Sequence, residues 1–236
     1  MIKILQVRNI DSFVESRRQR TSEKDKKTVQ SILNDVRKNG DSAVKKYERK
    51  FNGRKTSQLR VSAKEIKEAQ SKISRKESLA ISLTGPREGQ FARLIRNFGQ
   101  KDPDWESSFI PIPSVGCYVP GGQARYPSSA IMSVTPARWA GVKRIVVVSP
   151  PGRDGKIDPL TIAAAKRCGA TEIYKVGGAQ AIGALAYGTK SIPKVDKIVG
   201  PGGKFVSIAK SLVSDQTAID MVAGPTELGI IADVSS

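Results

Sequence analysis

Four glycine-rich segments between residues 116 and 227 constrain the fold of this chain most, because most of them stand where an apolar run stops. They are Gly116-Cys-Tyr-Val-Pro-Gly-Gly122, Val176-Gly-Gly-Ala-Gln-Ala-Ile182, Val199-Gly-Pro-Gly-Gly-Lys204 and Ala223-Gly-Pro-Thr-Glu227. Glycine at the end of a strand lets the backbone adopt positive φ and come close to a ligand. The series therefore predicts one binding edge made of several turns.

The sequence after residue 114 alternates between apolar runs of strand length and helical stretches. The predicted strands cover 115–119, 144–149, 172–176, 195–199 and 228–232, and the predicted helices cover 128–140, 159–168, 179–187 and 203–213. Continuous β-branched runs such as Ile145-Val-Val-Val148 are typical of strands buried on both faces of a parallel sheet, and the helices supply right-handed crossovers. We therefore expect an α/β fold, a Rossmann-like parallel sheet flanked by helices, over residues 116–236.

Residues 1–115 predict a mainly helical N-terminal region, which we expect to be an incomplete first domain. Between a cap at Thr21/Ser22 and a stop at Gly40, apolar residues recur at three- and four-residue spacing, which is typical of an amphipathic helix. A second helix is predicted over 41–51, and a third begins at the capping box Ser62-Ala-Lys-Glu65. Further on, Gly85-Pro86 predicts an interruption of the helical pattern.

The formal net charge of +18 raises the question of a polyanionic partner. In the N-terminal region basic and acidic side chains are interspersed along helices, as in Glu23-Lys-Asp-Lys-Lys27, and no aromatic residues that could stack on bases are interleaved with them. A solvated basic face explains this pattern better than nucleic-acid binding does. Nucleic-acid binding would instead show itself as duplex DNA binding with a steep salt dependence.

Two cysteines, Cys117 and Cys168, are too few for a disulfide framework and lack metal-ligand spacing, which fits a reducing cytoplasm and predicts that both are buried. Because no apolar run approaches the length that spans a bilayer, we expect no membrane partner. The chain contains no histidine, which is the usual proton-transfer residue near neutral pH. A mechanism that needs an imidazole cannot be run by this chain alone.

Three strand-to-helix turns are candidates for holding a ligand at helix N-termini. They are Ser149-Pro-Pro-Gly152, Gly177-Gly178-Ala-Gln180 and Gly200-Pro-Gly-Gly203, and Lys204 after the last turn could add a charge toward a phosphate. The alternative is that the glycines only terminate strands. Neither the Gly-x-Gly-x-x-Gly fingerprint nor the usual phosphate loop is present, so a bound nucleotide would be held by an atypical turn.

Three side chains at the glycine segments could meet a ligand. Gln180 opens a helix, where its amide can point toward a ligand carbonyl or ribose hydroxyl, or only cap the helix. Tyr118 can pack its ring against an adenine or nicotinamide, or belong to the core. Thr226, beside Glu227, can meet a polar substrate, although turn chemistry alone also selects Gly-Pro-Thr.

Taken in order, these motifs closely resemble the histidinol dehydrogenase family. The resemblance is strong over 114–233, where the glycine segments are joined by Thr135-Pro-Ala-Arg138, Ala186-Tyr-Gly-Thr189, Val195-Asp-Lys-Ile-Val199 and Ile219-Asp-Met-Val222. It is weaker over 22–80, where Asn39-Gly-Asp-Ser-Ala-Val44 and Tyr47-Glu-Arg-Lys-Phe51 carry it. Residues 83–107 depart from the family's pattern.

The resemblance implies an enzyme of histidine biosynthesis, an intertwined homodimer that uses zinc and NAD to oxidise L-histidinol through L-histidinaldehyde to L-histidine. It places NAD contacts on Tyr118, Gln180 and Gly203, which makes residues 116–236 the NAD-side domain. At Gly203 the family has an asparagine, so this chain offers only its backbone there. The family's substrate-binding serine falls on Thr226, which keeps the hydroxyl and adds a methyl group.

The family's Gln-x-x-His zinc ligands, its Glu-His acid/base pair and its remaining Asp and His ligands would follow Ser236 and are not in this sequence. Zinc sites normally need at least three protein ligands, so no metal-ligating or catalytic residue is assigned here. We expect the N-terminal portion of the enzyme, inactive alone, from a split gene, a truncated gene model or a degraded gene, with a C-terminal half supplied separately in the first case. The alternative is a non-catalytic nucleotide-binding or assembly module.

Overall fold

The computed structural model describes residues 9–17, 22–53, 58–97, 110–122 and 124–222 of the chain. Helices alone make up the first part: α1 (Ile10–Arg17), α2 (Glu23–Asn39), α3 (Asp41–Asn52), α4 (Ala63–Lys72) and α5 (Arg75–Asn97). Strands and helices then alternate: β1 (Ser114–Tyr118), α6 (Pro127–Trp139), β2 (Arg144–Ser149), α7 (Pro159–Cys168), β3 (Glu172–Lys175), α8 (Gly178–Tyr187), β4 (Lys197–Val199), α9 (Lys204–Val213) and β5 (Ala218–Ile219).

The first helices begin and end where their capping residues predict. The Ser22 hydroxyl accepts a hydrogen bond from the backbone N–H of Asp25 at 3.1 Å, and the N–H of Gly40 closes α2 on the carbonyl of Val36. Helix α4 begins with both halves of the capping box between Ser62 and Glu65. These predictions are confirmed. The sequence could make them because a cap depends only on residues within one helical turn of each other.

The predicted interruption at Gly85-Pro86 is wrong, because α5 runs without a break through both residues. A proline inside a helix costs about 3 kcal/mol, chiefly through one lost hydrogen bond and one steric conflict. Helix α5 packs against α6 and α7 and buries Ile81 between them and the sheet. We infer that this packing offsets the cost of the proline. A prediction made from adjacent residues alone does not include such packing.

The strands form a parallel five-stranded sheet in the order β3-β2-β1-β4-β5. Gly116 in the central strand β1 lies in register with Val146 of β2 and Ile198 of β4. The α/β fold class is thereby confirmed. The short strand β5 was not predicted, since two residues are too few to give a periodic signal, and the predicted strand 228–232 lies outside the described residues.

Helices cover both faces of the sheet and divide the core in two. On one face α2, α3, α8 and α9 pack over side chains such as Val146 and Val148, and on the other face α4, α5, α6 and α7 pack over Ile145 and Val147. Successive residues of β2 therefore enter different cores, as a strand buried on both faces requires. The N-terminal helices contribute to both layers, so the proposed boundary near residue 115 stays a prediction.

A short segment pairs with the edge strand β3. Residues 59–61 run antiparallel along the free edge of β3, where the N–H of Val61 donates to the Ile173 carbonyl at 2.8 Å. Cys117 and Cys168 are both buried, as predicted, and no helix in the described part of the chain has an apolar stretch long enough to cross a bilayer.

Candidate functional site

The carboxyl ends of β1 and β4 define the place in this sheet where a ligand is expected. The chain leaves β1 toward β2 on one side and reaches β4 on the other, so the strand order reverses between β1 and β4. In open α/β sheets, ligands bind in the crevice outside the carboxyl ends of the strands at such a switch point. Tyr118 ends β1, and Gly200 directly follows β4.

The glycine turns approach one another closely along this edge. A Cβ at Gly200, which has a φ of +106°, would overlap the carbonyl oxygen of Tyr118. A Cβ at Gly121 would lie 2.9 Å from the Ser149 hydroxyl, and one at Gly177 would overlap the ring of Pro150. The turns after β1, β2, β3 and β4 thus touch in series, and the predicted single edge exists because these positions carry no side chain.

Tyr118 connects two of these turns. Its ring is buried, with 5% of the residue exposed, and its hydroxyl accepts a hydrogen bond from the backbone N–H of Gly178 at 3.1 Å. Burial raises the pKa of Tyr118, which keeps the hydroxyl protonated and able to donate as well as accept. The ring belongs to the core beneath α8, and the hydroxyl is the part that reaches the turn.

Gln180 lies in the first turn of α8, but its amide does not cap that helix. The side-chain Nε2 donates to the carboxylate Oε1 of Glu48 at 2.8 Å, and the same oxygen accepts the backbone N–H of Gly177 at 2.9 Å. Glu48 comes from α3 and is 1% exposed. The sequence alternative in which this amide only caps α8 is therefore wrong, and one of the two N–H groups on Nε2 is held by Glu48.

A cavity of about 250 Å³ opens beside Gln180 at the N-terminus of α8. Its walls are mainly apolar and come from α2, α3, the turns after β2 and β3, and the start of α9; they are Thr28, Ile32, Phe51, Pro150, Gly177, Gly178, Ala179, Gln180 and Phe205. The Oε1 of Gln180 is buried and has no hydrogen-bond partner among the described residues. A cavity with mainly apolar walls and a buried, unpartnered acceptor suits a flat ring that carries a donor.

Gly203 is the residue before α9, with a φ of −69° that any residue can adopt. A Cβ there would have no heavy atom within 4 Å, so the position has room for a side chain that this sequence does not supply. Lys204 does not stand free to meet a phosphate, since its ammonium group is paired with the carboxylate of Asp25 on α2. The turn therefore offers a ligand mainly backbone N–H groups.

The turn after β4 is fixed by two residues that the sequence did not single out. Lys210, almost fully buried in α9, donates to the Gly200 carbonyl at 3.1 Å and pairs with the carboxylate of Asp220. Asp220 accepts the N–H of Gly200 at 2.8 Å, and this network lowers the pKa of its carboxyl despite partial burial. The motif Ile219-Asp-Met-Val222 was the signal that could have pointed to it.

Thr226, the predicted substrate contact, lies outside the described residues, as does the segment around it. The residues that the structure describes do not fit a zinc site. The sequence has no histidine, and across the described residues no three Cys, Asp or Glu side chains converge where a metal ion could be held. No chemical step is therefore derived through zinc.

The strand order and the glycine turns gathered at the carboxyl edge of the sheet place the chain in the Rossmann-like class of α/β proteins. The sequence model of histidinol dehydrogenase matches residues 15–236. Histidinol dehydrogenase of Bacillus licheniformis is 47% identical over 217 residues, which is 90% of this chain and 51% of that protein. The Methanococcus maripaludis protein of the same name is 50% identical over 216 residues, covering 89% of this chain and 50% of the relative.

The crystal structure of histidinol dehydrogenase from Elizabethkingia anophelis superimposes with a TM-score of 0.79 at 32% identity, over 92% of this chain and 52% of that one. The chain therefore belongs to the histidinol dehydrogenase family, whose name denotes an oxidoreductase of histidine biosynthesis. It spans about half the length of the curated relatives that it matches.

Proposed function

We propose that this chain forms the NAD-side half of a histidinol dehydrogenase, which oxidises L-histidinol through L-histidinaldehyde to L-histidine. In this proposal the zinc ligands and the acid/base groups come from a C-terminal half, and the complete enzyme is a cytoplasmic homodimer. Family membership and the match over about half of the relatives' length support the assignment.

The observation that carries the cofactor assignment is the buried, unpartnered Oε1 of Gln180 beside an apolar cavity at the carboxyl edge of the sheet. A buried polar atom without a partner is costly, so a native structure retains one where a ligand or water completes it. NAD carries flat rings with N–H donors, which fit such an acceptor. When bound, NAD supplies the hydride acceptor for the oxidation.

The residues of this chain would divide the cofactor between two helix N-termini. The N–H groups of Gly177 and Gly178 already bind Glu48 and Tyr118, and a carboxylate in that turn disfavours a second anion. The turn before α9 contains Gly203 with open space above it, and a helix N-terminus favours phosphate. We therefore assign the ring to the cavity beside Gln180 and the pyrophosphate to the turn at Gly203.

Complementation tests the proposal. The purified 236-residue chain should not turn over L-histidinol by itself, and NADH should form when a C-terminal half from a relative, which brings the histidines, is added. Calorimetric titration should show NAD binding by the chain alone. Turnover without added histidines would refute the division of labour, and NAD binding without complementation would favour the non-catalytic module.

A further inference from the structure

Glu48 decides which end of the Gln180 amide faces the cavity. The Oε1 of Glu48 accepts the backbone N–H of Gly177, so this oxygen is an acceptor, and the end of the Gln180 amide that faces it must be the NH₂ group rather than the carbonyl oxygen. The 2.8 Å contact between Glu48 Oε1 and Gln180 Nε2 satisfies this requirement, and the N–H of Gly177 holds the same carboxylate oxygen at 2.9 Å. The orientation of the amide is thus set by an acceptor oxygen of Glu48.

The consequence lies on the other end of the amide. With Nε2 turned toward Glu48, the Oε1 of Gln180 is left as an acceptor beside Gly178, where a Cβ would stand 2.9 Å from it. Gln180 is 2% exposed, and this oxygen has no partner among the described residues. The absence of a side chain at Gly178 keeps the approach to that oxygen open on this side.

We propose that Glu48 is a positioning residue that fixes Gln180 as a hydrogen-bond acceptor, and that the cavity therefore selects a flat ring bearing an N–H donor. This inference rests on the proposed NAD site and deepens it. In NAD the same donor chemistry occurs on the exocyclic amine of adenine and on the carboxamide of nicotinamide. Phe51, Phe205 and Ile32 supply the apolar walls against which such a ring packs.

Two NAD analogues distinguish the two rings. The purine analogue replaces the adenine amine by hydrogen, which leaves that ring without an N–H donor, and the acetylpyridine analogue replaces the carboxamide by a methyl ketone. One of them should bind the wild-type chain about ten-fold more weakly than NAD, since it leaves the buried acceptor unpaired. Equal binding of all three dinucleotides would overturn the inference.

Glu48→Met tests the positioning role directly. A methionine at 48 has a similar length but lacks the acceptor oxygen, which frees the Gln180 amide to turn its NH₂ group toward the ligand. NAD should then bind about ten-fold more weakly and lose its advantage over the discriminating analogue. Glu23→Met, at an exposed carboxylate in the first turn of α2, is the matched control and should keep both affinity and selectivity. A purely structural role would lower all affinities together and leave their ratio unchanged.

A measurement on the wild-type chain covers the case in which Glu48→Met does not fold. The side-chain NH₂ protons of Gln180 should exchange with solvent far more slowly than those of the exposed Gln70, because Glu48 holds them in a buried hydrogen bond. Equally fast exchange would overturn the positioning role. If the wild-type chain fails to bind NAD at millimolar concentration, the NAD site fails, whereas slow exchange at Gln180 would still support the role of Glu48.

Discussion

Gly200→Ala is the substitution that tests the geometry of the cofactor edge most directly. Gly200 has a φ of +106°, a backbone conformation that residues with a Cβ rarely adopt. A Cβ there would overlap the carbonyl oxygen of Tyr118 and stand 3.1 Å from its backbone nitrogen. The turn cannot easily move away, because Lys210 and Asp220 hold the carbonyl and the N–H of Gly200 from the other side.

Two costs add in this variant. Holding a non-glycine residue in a sparsely populated region of φ and ψ costs about 1–3 kcal/mol. Forcing an additional carbon against packed backbone costs about 1–3 kcal/mol. The expected loss of about 2–6 kcal/mol is a large share of the roughly 5–15 kcal/mol by which a typical domain is stable.

Gly203→Ala in the same turn is the matched control, since its φ of −69° is ordinary and its Cβ would meet no heavy atom within 4 Å. Urea unfolding followed by circular dichroism should place Gly203→Ala within about 0.5 kcal/mol of wild type. When both variants are heated, the unfolding midpoint of Gly200→Ala should be lower by roughly 2–4 °C for each kcal/mol of stability that it has lost. Equal stability of the two variants would refute the claim that the turns after β1 and β4 are in contact.

Three further predictions concern groups around the same edge. Lys210→Met should destabilise the chain by about 2 kcal/mol at neutral pH, below the 3–5 kcal/mol of a fully buried pair because the Asp220 side chain is 30% exposed. The folded-state pKa of Asp220 is lowered, so its carboxylate adds to the free energy of unfolding above about pH 4, and this contribution is lost as the pH falls through the lowered value. Acid titration should therefore reduce the stability of wild type more than that of Lys210→Met. Burial raises the pKa of Cys117 to about 12 and also raises that of Cys168, so Ellman's reagent at pH 8 should label neither thiol until urea unfolds the chain, and rapid labelling of the folded chain would contradict their burial. Gly203→Asn should bind NAD more tightly than Gly203→Ala in calorimetric titration, because its amide enters open space at the proposed pyrophosphate turn; equal affinities would count against that placement.

The parts of this fold that short-range patterns specify were predictable. The capping box at Ser62 and the stop at Gly40 involve residues within one turn of each other. The continuous β-branched run of β2 predicts by itself that the strand is buried. The continuity of α5 through Pro86 was not predictable in this way, because it depends on packing against α6 and α7 far along the chain.

In the candidate site, too, the features set by nearby residues were predictable, and those set by residues far along the chain were not. Glycine turns predicted where the edge lies, because each close approach requires a missing side chain at a position visible in the sequence. The orientation of Gln180 was not predictable, since the carboxylate that sets it lies 132 residues earlier in the chain. Glu48 stands within a helix among charged residues, and only the folded structure shows that it is buried rather than solvated.

The N-terminal helices bear on the cofactor edge as directly as the glycine turns do. Helices α2 and α3 supply Ile32 and Phe51 to the cavity that α8 and α9 also line, and α3 supplies the Glu48 carboxylate that holds Gln180. The boundary that composition suggests near residue 115 therefore has parts of one cavity on both sides of it. Because the amide of Gln180 takes its orientation from Glu48, substitution of Glu48 should alter ring selectivity without touching any residue of the Rossmann-like sheet.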